Sequence, residues 1–288
     1  MNSIKNAINL LHQLFKLEDL LIGAAFVYLG AAFANNGIPE SNNIRLLVAI
    51  LFCILGLASI NSMNQIFDVE IDKINKPNRP IPAGRLTKKQ VFIVSFSLSV
   101  CAGALTIYLG VIYFLIAVAG LAIGIIYSIP QIYLKKNTIL STMTIAVGYG
   151  ILAFMVGWAV YKPILLIPLW LILFLYFHEV IITFCKDFSD LEGDKKARLE
   201  TIPVLLGKFR GATLCFFLYL TPFMNLLIFQ WLNYFSLNFY ILFITGIIFG
   251  LLIFGFCSRE DKRANYIGYS FYVIGTIFIR AVLLVEYI

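Results

Sequence analysis

The sequence predicts an all-α fold: a polytopic membrane bundle of about nine transmembrane helices around a central cavity. Three observations lead there. Hydrophobic residues make up 61% of the 288 and charged residues only 13%, about half the charge of a soluble domain. Apolar runs close to the roughly 20 residues that a helix needs to span a bilayer recur from end to end. The basic residues between those runs fall almost entirely on alternate ends, as the loops of a multi-pass protein do.

The elements follow in chain order. Residues 4–15 form a short amphipathic piece beside Lys5 and Lys16, predicted to lie on the interface rather than to act as a cleavable signal. Spans are predicted at 19–36, 46–67, 91–109, 111–130, 139–160, 163–185, 211–231, 237–257 and 265–287. Only Gly110 separates the third from the fourth. No sizeable soluble domain is present, so residues 1–288 read as one domain held by helix packing. Of the 22 Lys and Arg, only Arg45 and Lys162 lie on one side, Arg280 falls inside a span, and all others lie on the opposite side. The positive-inside rule makes the crowded side cytoplasmic. The net charge of +7 thus reflects topology and calls for no nucleic-acid partner. The five cysteines form no C-x-x-C pair and His12 and His178 are isolated, which excludes a zinc framework.

Two acidic segments interrupt the apolar pattern, each where a span meets a basic loop. The first is Asn64-x-x-x-Asp68-x-x-x-Asp72; the second is Asp187-x-x-Asp190-x-x-x-Asp194. On a helix the first spacing drifts about 40° per step, so the three side chains share one stripe. The second set shares a face if its helix continues that far. Carboxylates crowded beside hydrocarbon repel one another and resist desolvation. Divalent cations would relieve both, and an all-oxygen ligand set suits magnesium. The local sequences are alike, Asp68-x-Glu70-x-Asp72-Lys73 against Asp190-x-Glu192-x-Asp194-Lys195, which hints at an internal duplication that includes loops 68–90 and 186–210. Glu70 and Glu192 are read as solvated.

Cationic groups follow the acids. Pro77, Pro80 and Pro82 stiffen the loop that carries Arg79, whose guanidinium can grip phosphate with two bonds. A third segment, Tyr127 to Lys136, ends the fourth span. Lys135 is a candidate phosphate ligand and Tyr127 a candidate cavity residue, although both types also favour interfaces. Glu179 and Arg280 are predicted within spans. Such charges are usually functional or paired, so Glu179 either serves an acceptor or pairs with Arg280.

These residues resemble the UbiA superfamily of intramembrane prenyltransferases. Asn64, Asp68 and Asp72 match its first motif, and Asp190 and Asp194 its second. Lys186-Asp187, Gly193-Asp194 and Thr201-Ile-Pro203 are similar to its second-motif segment, and Tyr127 to Lys135 to its Tyr–Lys loop. The resemblance covers nearly the whole chain. It implies that Asp68, Asp72, Asp190 and Asp194, with Asn64 and Asp187, hold two Mg²⁺. Arg79, Lys135 and Lys186 would then bind the diphosphate of an allylic prenyl donor, with Tyr127 or Tyr149 shielding the developing cation. The implied acceptor is lipophilic: an aromatic or quinone precursor, a chlorophyll-type ring or a glycerol-phosphate lipid. A terpene cyclase of the same family is one alternative. A cation-coupled transporter is another, but transporters place such acids near the midplane, and here they fall at the membrane edge.

The topology is directly testable. In a background lacking native cysteine, Lys88→Cys and Lys195→Cys should label from the cytoplasmic side and Asn36→Cys from the other. Labelling of the first two from opposite faces would show the span count between them to be wrong.

Overall fold

The computed structural model describes residues 2–184, 186–231 and 240–287. Helices account for nearly all ordered structure, and an isolated bridge between Asn137 and Glu200 is the one β-type pairing among the described residues. The chain is an integral membrane protein. Among the described residues, seven helices are long and apolar enough to cross a bilayer: Leu17–Asn35, Ile44–Phe67, Lys88–Leu109, Val111–Ser128, Thr138–Trp158, Ile202–Ile228 and Tyr240–Cys257. Seven of the about nine predicted spans thus have a helix of spanning length and composition among the described residues. The other two predicted spans correspond to Leu169–Thr183 and Lys262–Tyr287. The former has 15 residues, about 22 Å of helix against a hydrocarbon core of about 30 Å. Pro163 and Pro168 account for its late start, because the intervening residues turn as a short 3-10 segment, Ile164–Leu166. The start of the predicted span 237–257 lies outside the described residues, as does Cys185.

The helices are α1 (Asn2–Phe15), α2 (Leu17–Asn35), α3 (Ile44–Phe67), α4 (Val69–Asn75), α5 (Lys88–Leu109), α6 (Val111–Ser128), α7 (Thr138–Ile145), α8 (Ala153–Trp158), α9 (Leu169–Thr183), α10 (Leu191–Lys196), α11 (Ile202–Trp231), α12 (Tyr240–Cys257) and α13 (Lys262–Tyr287). Their ends follow local chemistry. Asn43 caps α3 by accepting from the Leu46 N–H. Thr87 and Gln90 form a reciprocal capping box at α5, which satisfies two donors that a helix start leaves open. Gly110, at φ 109°, closes α5 and opens α6, as the sequence indicates.

The chain divides into two compact units, residues 1–135 with 147–172, and residues 136–146 with 173–288. In the first, α3 packs on α1, α2, α5, α6 and α8. Polar side chains of α3 serve as clamps. Ser59 Oγ lies 2.6 Å from Ser99 Oγ and donates to the Ser95 carbonyl at 2.8 Å. Gln65 Nε2 donates to the carbonyls of Gln13 and Leu14, and Asn61 Nδ2 to that of Phe15. These bonds satisfy carbonyls that the end of α1 would otherwise leave open. The crossing of α2 and α8 is close because both sides lack a side chain: a Cβ on Gly30 would stand 2.1 Å from the Phe154 carbonyl oxygen, and one on Gly157 1.7 Å from that of Val27. In the second unit α11 packs on α12 and α12 on α13 around Tyr219, Phe223, Leu226 and Ile253.

Gly157→Ala must push α8 away from α2, and overpacking of this kind costs about 1–3 kcal/mol. Gly56→Ala on α3, where nothing stands within 4 Å of the added carbon, should leave stability unchanged or slightly raised. Thermal unfolding in detergent would compare them, and equal midpoints would show that the close crossing is not required.

Candidate active site

The first acidic motif is built on a helix end. α3 stops at Phe67, and Asp68 (φ −90°, ψ 5°) both closes α3 and opens α4. The stripe expected from the spacing survives this break. The Asp68 N–H donates to the Asn64 carbonyl at 3.0 Å, Asp72 to Asp68 at 2.8 Å, and Lys76 to Asp72 at 2.8 Å. Asp68 and Asp72 are buried, at 8% and 3% exposure, so they are not solvated boundary acids.

The repulsion expected of bare carboxylates is instead offset by cations. Arg79 Nη1 donates to Asp72 Oδ2 at 2.6 Å, and Lys135 Nζ is paired with Asp68 Oδ1. Both basic residues are themselves buried. Arg79 and Lys135, which the sequence offers as phosphate ligands, here contact the motif's acids. Lys135 also stands 5.1 Å from the Tyr133 ring. The proline-rich loop has the set shape its composition predicts. Arg79 N–H donates to Lys76 O, Ala83 N–H to Arg79 O, and Arg85 N–H to Pro80 O, all at 2.9 Å. Arg85 also donates to Gln13 Oε1 and to the Asn78 carbonyl. Asn64 Oδ1 accepts from Ser128 Oγ at 2.5 Å, a partner not singled out from the sequence. Tyr127, next to it on α6, is half-buried. Glu70 faces away and is exposed. Its hydrogen bond to Lys73 and that residue's positive charge hold its carboxyl below the usual range.

The second motif, in the other unit, departs from the continuous helix face expected of it. α9 ends at Thr183, residues Lys186–Asp190 form a 3-10 turn, and α10 follows. The outcome for the acids is similar, because a 3-10 turn eclipses positions i and i+3, which sets Asp187 and Asp190 on one side. Asp190 (φ −103°, ψ 5°) opens α10 in nearly the same conformation in which Asp68 opens α4. Both lie in the sparsely allowed bridge region where many active-site residues sit. Asp194 is buried, its Oδ2 accepts from Thr201 Oγ1 at 3.4 Å, and its carbonyl accepts from the Leu199 N–H at 2.9 Å. Asp190 Oδ1 accepts from Ser189 Oγ at 3.1 Å. Lys186, Asp187 and Asp190 are half-buried, and Glu192 is exposed. The 3-10 turn rests on α11 and α13.

Among the described residues no three His, Cys, Asp or Glu side chains form a ready-made metal cluster. Magnesium does not need one, since it takes one or two carboxylates and completes its shell with water and phosphate. The donors fit that requirement. Asp68 Oδ2 and Asp72 Oδ1 have no hydrogen bond among the described residues, and both are hard oxygens. Glu179 is buried, with His178 Nδ1 3.9 Å from its carboxylate and Thr183 Oγ1 donating to its carbonyl at 2.6 Å. The side chain of Arg280, its expected alternative partner, lies outside the described residues.

Buried paired acids at the mouths of apolar helices, with cations from neighbouring loops, define a membrane-embedded enzyme that handles a polyanion. The chain belongs to the UbiA prenyltransferase family, whose model matches residues 23–275. It is 35% identical over 174 residues to homogentisate phytyltransferase of Synechocystis sp., covering 57% of this chain and 56% of that enzyme. It is 30% identical over 261 residues to digeranylgeranylglyceryl phosphate synthase of Methanococcus maripaludis, covering 88% and 90% of the two chains. The fold is similar to that of a UbiA homolog from Archaeoglobus fulgidus bound to GPP and Mg²⁺, with a TM-score of 0.65 at 17% identity over 93% of this chain and 98% of that one.

The Asp72–Arg79 pair sets a stability test. Arg79→Ala leaves a buried carboxylate without its cation, which costs about 3–5 kcal/mol. The Asp72→Ala, Arg79→Ala double variant should recover part of that loss, and Glu70→Gln should change nothing measurable. Unfolding in detergent reads all three, and additive losses in the double variant would show the pair to be uncoupled.

Proposed function

We propose that this chain transfers a prenyl group from an allylic prenyl diphosphate to a lipophilic acceptor, with release of diphosphate. The observation that carries this reading is the pairing of two buried carboxylates with two buried cations, Asp68 with Lys135 and Asp72 with Arg79, at the end of a membrane-spanning helix. Such a set can exchange one anion for another. When the donor binds, Arg79 and Lys135 turn to its phosphate oxygens, and the carboxylates become available to Mg²⁺. Asp68 and Asp72 with Asn64 would hold one ion, and Asp190 and Asp194 with Asp187 a second. Bound magnesium would neutralise the diphosphate and make it a better leaving group.

The chain's own residues do the rest. Arg79 brings a planar fork that suits phosphate, and Lys135 a compact charge. Both stabilise the negative charge that grows on the leaving oxygen as the allylic C–O bond breaks. Tyr127 offers an aromatic face to the positive carbon, and Lys186 adds a cation beside the second motif. The acceptor then attacks that carbon and gives up a proton. The near-identical backbone at Asp68 and Asp190 supports a duplicated motif, with residues 1–288 acting as one catalytic domain. The distribution of Lys and Arg supports active-site loops on the cytoplasmic side.

Purified protein in detergent, given Mg²⁺, C10 to C20 prenyl diphosphates and a lipid extract, should yield prenylated product detectable by mass spectrometry. Excess EDTA should abolish turnover. Asp68→Ala and Asp190→Ala should each lower kcat at least about a hundredfold, the scale of losing one charge-stabilising group, while remaining folded. Full turnover in EDTA, or near-normal turnover in either variant, would sink this reading.

A further inference from the structure

A second polar cluster lies in the first unit, and it gathers Tyr149, named above as an alternative shield for the allylic cation. Three elements meet there: the first turn of α2 brings Asp19, the last third of α3 brings Asn61, and a π-helical stretch, Ala146–Leu152, brings Tyr149. Tyr149 Oη lies 2.9 Å from Asn61 Oδ1 and 3.4 Å from Asp19 Oδ2. Asn61 Nδ2 lies 3.4 Å from that same Oδ2, and Lys16 Nζ 3.6 Å from it. Every side-chain contact of Asp19 therefore ends on one oxygen. Its Oδ1 accepts no hydrogen bond among the described residues.

Asn61 stands seven residues before Asp68. Seven steps of 100° fall about 20° short of two full turns, so the two share a stripe, with Asn61 about 10 Å further from the motif end of the helix. That separation is on the scale of a diphosphate with its allylic carbon. Polar groups inside a span are costly and are kept where they contact one another or a ligand. A π-helical turn widens a helix and is frequent at functional sites. An acid in the first turn also favours the α2 dipole, but that accounts for Asp19 alone and not for the phenol and amide gathered on it.

We propose that Asp19, Asn61 and Tyr149 form the acceptor subsite, and that the acceptor presents a neutral hydroxyl group there. This rests on the transferase reading above. The hydroxyl donates to Asp19 Oδ1, while Tyr149, which donates its one proton to Asn61 Oδ1, positions the amide and through it the carboxylate. A carboxylate or phosphate at the same point would meet Asp19 with like charge. In the reaction the donor C–O bond breaks, diphosphate leaves with the electron pair, and the acceptor atom bonds the allylic carbon. The acceptor loses one proton, which passes to Asp19 through the hydrogen bond already in place.

Asn61 also holds the end of α1, so the informative variants are the near-isosteric Tyr149→Phe and Asp19→Asn. The probes are geranylgeranyl diphosphate with either a neutral methylhydroquinone or an anionic glyceryl-ether phosphate as acceptor. Wild type should prenylate the hydroquinone in preference. Each variant should raise the KM for it about tenfold, the effect of about 1.4 kcal/mol. Binding of inorganic diphosphate with Mg²⁺, measured by calorimetry, should stay unchanged in both. An unchanged KM in both variants, or a wild-type preference for the anionic acceptor, overturns the subsite while leaving the transferase reading in place. Failure of wild type to bind Mg²⁺ and diphosphate overturns both.

Discussion

An ionised carboxylate beside hydrocarbon persists only where something nearby offsets its charge, and much of the first unit is arranged around that requirement. Asp68 and Asp72 sit at the end of a 24-residue apolar helix and are almost fully buried. Their cations come from different places: Arg79 from a loop seven residues after Asp72, and Lys135 from the 3-10 turn that follows α6, 67 residues after Asp68. Each pairing therefore also fixes a loop. The proline-rich turn closes back on Arg79 through its own backbone bonds, and Arg85 ties the same turn to α1. Losing one carboxylate would free a buried cation and loosen the loop that carries it. Stability and chemistry thus draw on the same four side chains.

The second motif meets the same requirement with a different local structure. A 3-10 turn replaces the straight helix, and a hydroxyl from Thr201 reaches the buried Asp194. What the two motifs share is the backbone of their first central acid. A short helix starts directly after Asp68 and again after Asp190, each time from the bridge conformation. A five-residue likeness in sequence, D-x-E-x-D, therefore corresponds to a likeness in chain geometry. Two helix starts of this kind on an acid, each followed by a basic residue at the next turn, are hard to attribute to composition alone.

Most of the architecture was legible because hydrophobicity at bilayer length is a strong signal, and Gly110 marked its turn correctly. In the run 163–185 the helix starts only at Leu169, because apolar composition does not register Pro163 and Pro168 as breaks. The end of α9 was invisible for the opposite reason, since no Gly or Pro marks residues 184–190. In the site, the acids and their basic loops stood out as charges in an apolar chain. Which cation meets which acid did not, because Lys135 and Asp68 are distant in sequence. Ser128 and Asn61 were harder still. A single hydroxyl or amide within a span reads as packing until its partners are known, although Asn61 three residues before Asn64 on one helix was a usable hint.

The stretch Ala146–Leu152 has a consequence for how the chain tolerates change. A π-helical turn holds an extra residue compared with an α-helical one, because its hydrogen bonds run from i to i+5. That residue is taken up inside the stretch, and the segment beyond keeps the phase it would have without it. Deleting one residue there would restore ordinary winding with Gly157 still facing the α2 backbone. The same deletion made in α8 before Gly157, where winding is already ordinary, would turn the residues beyond it by about 100° and set a bulky neighbour against Val27. The stretch is therefore the place in this helix where length can change by one residue at least cost to the close crossing.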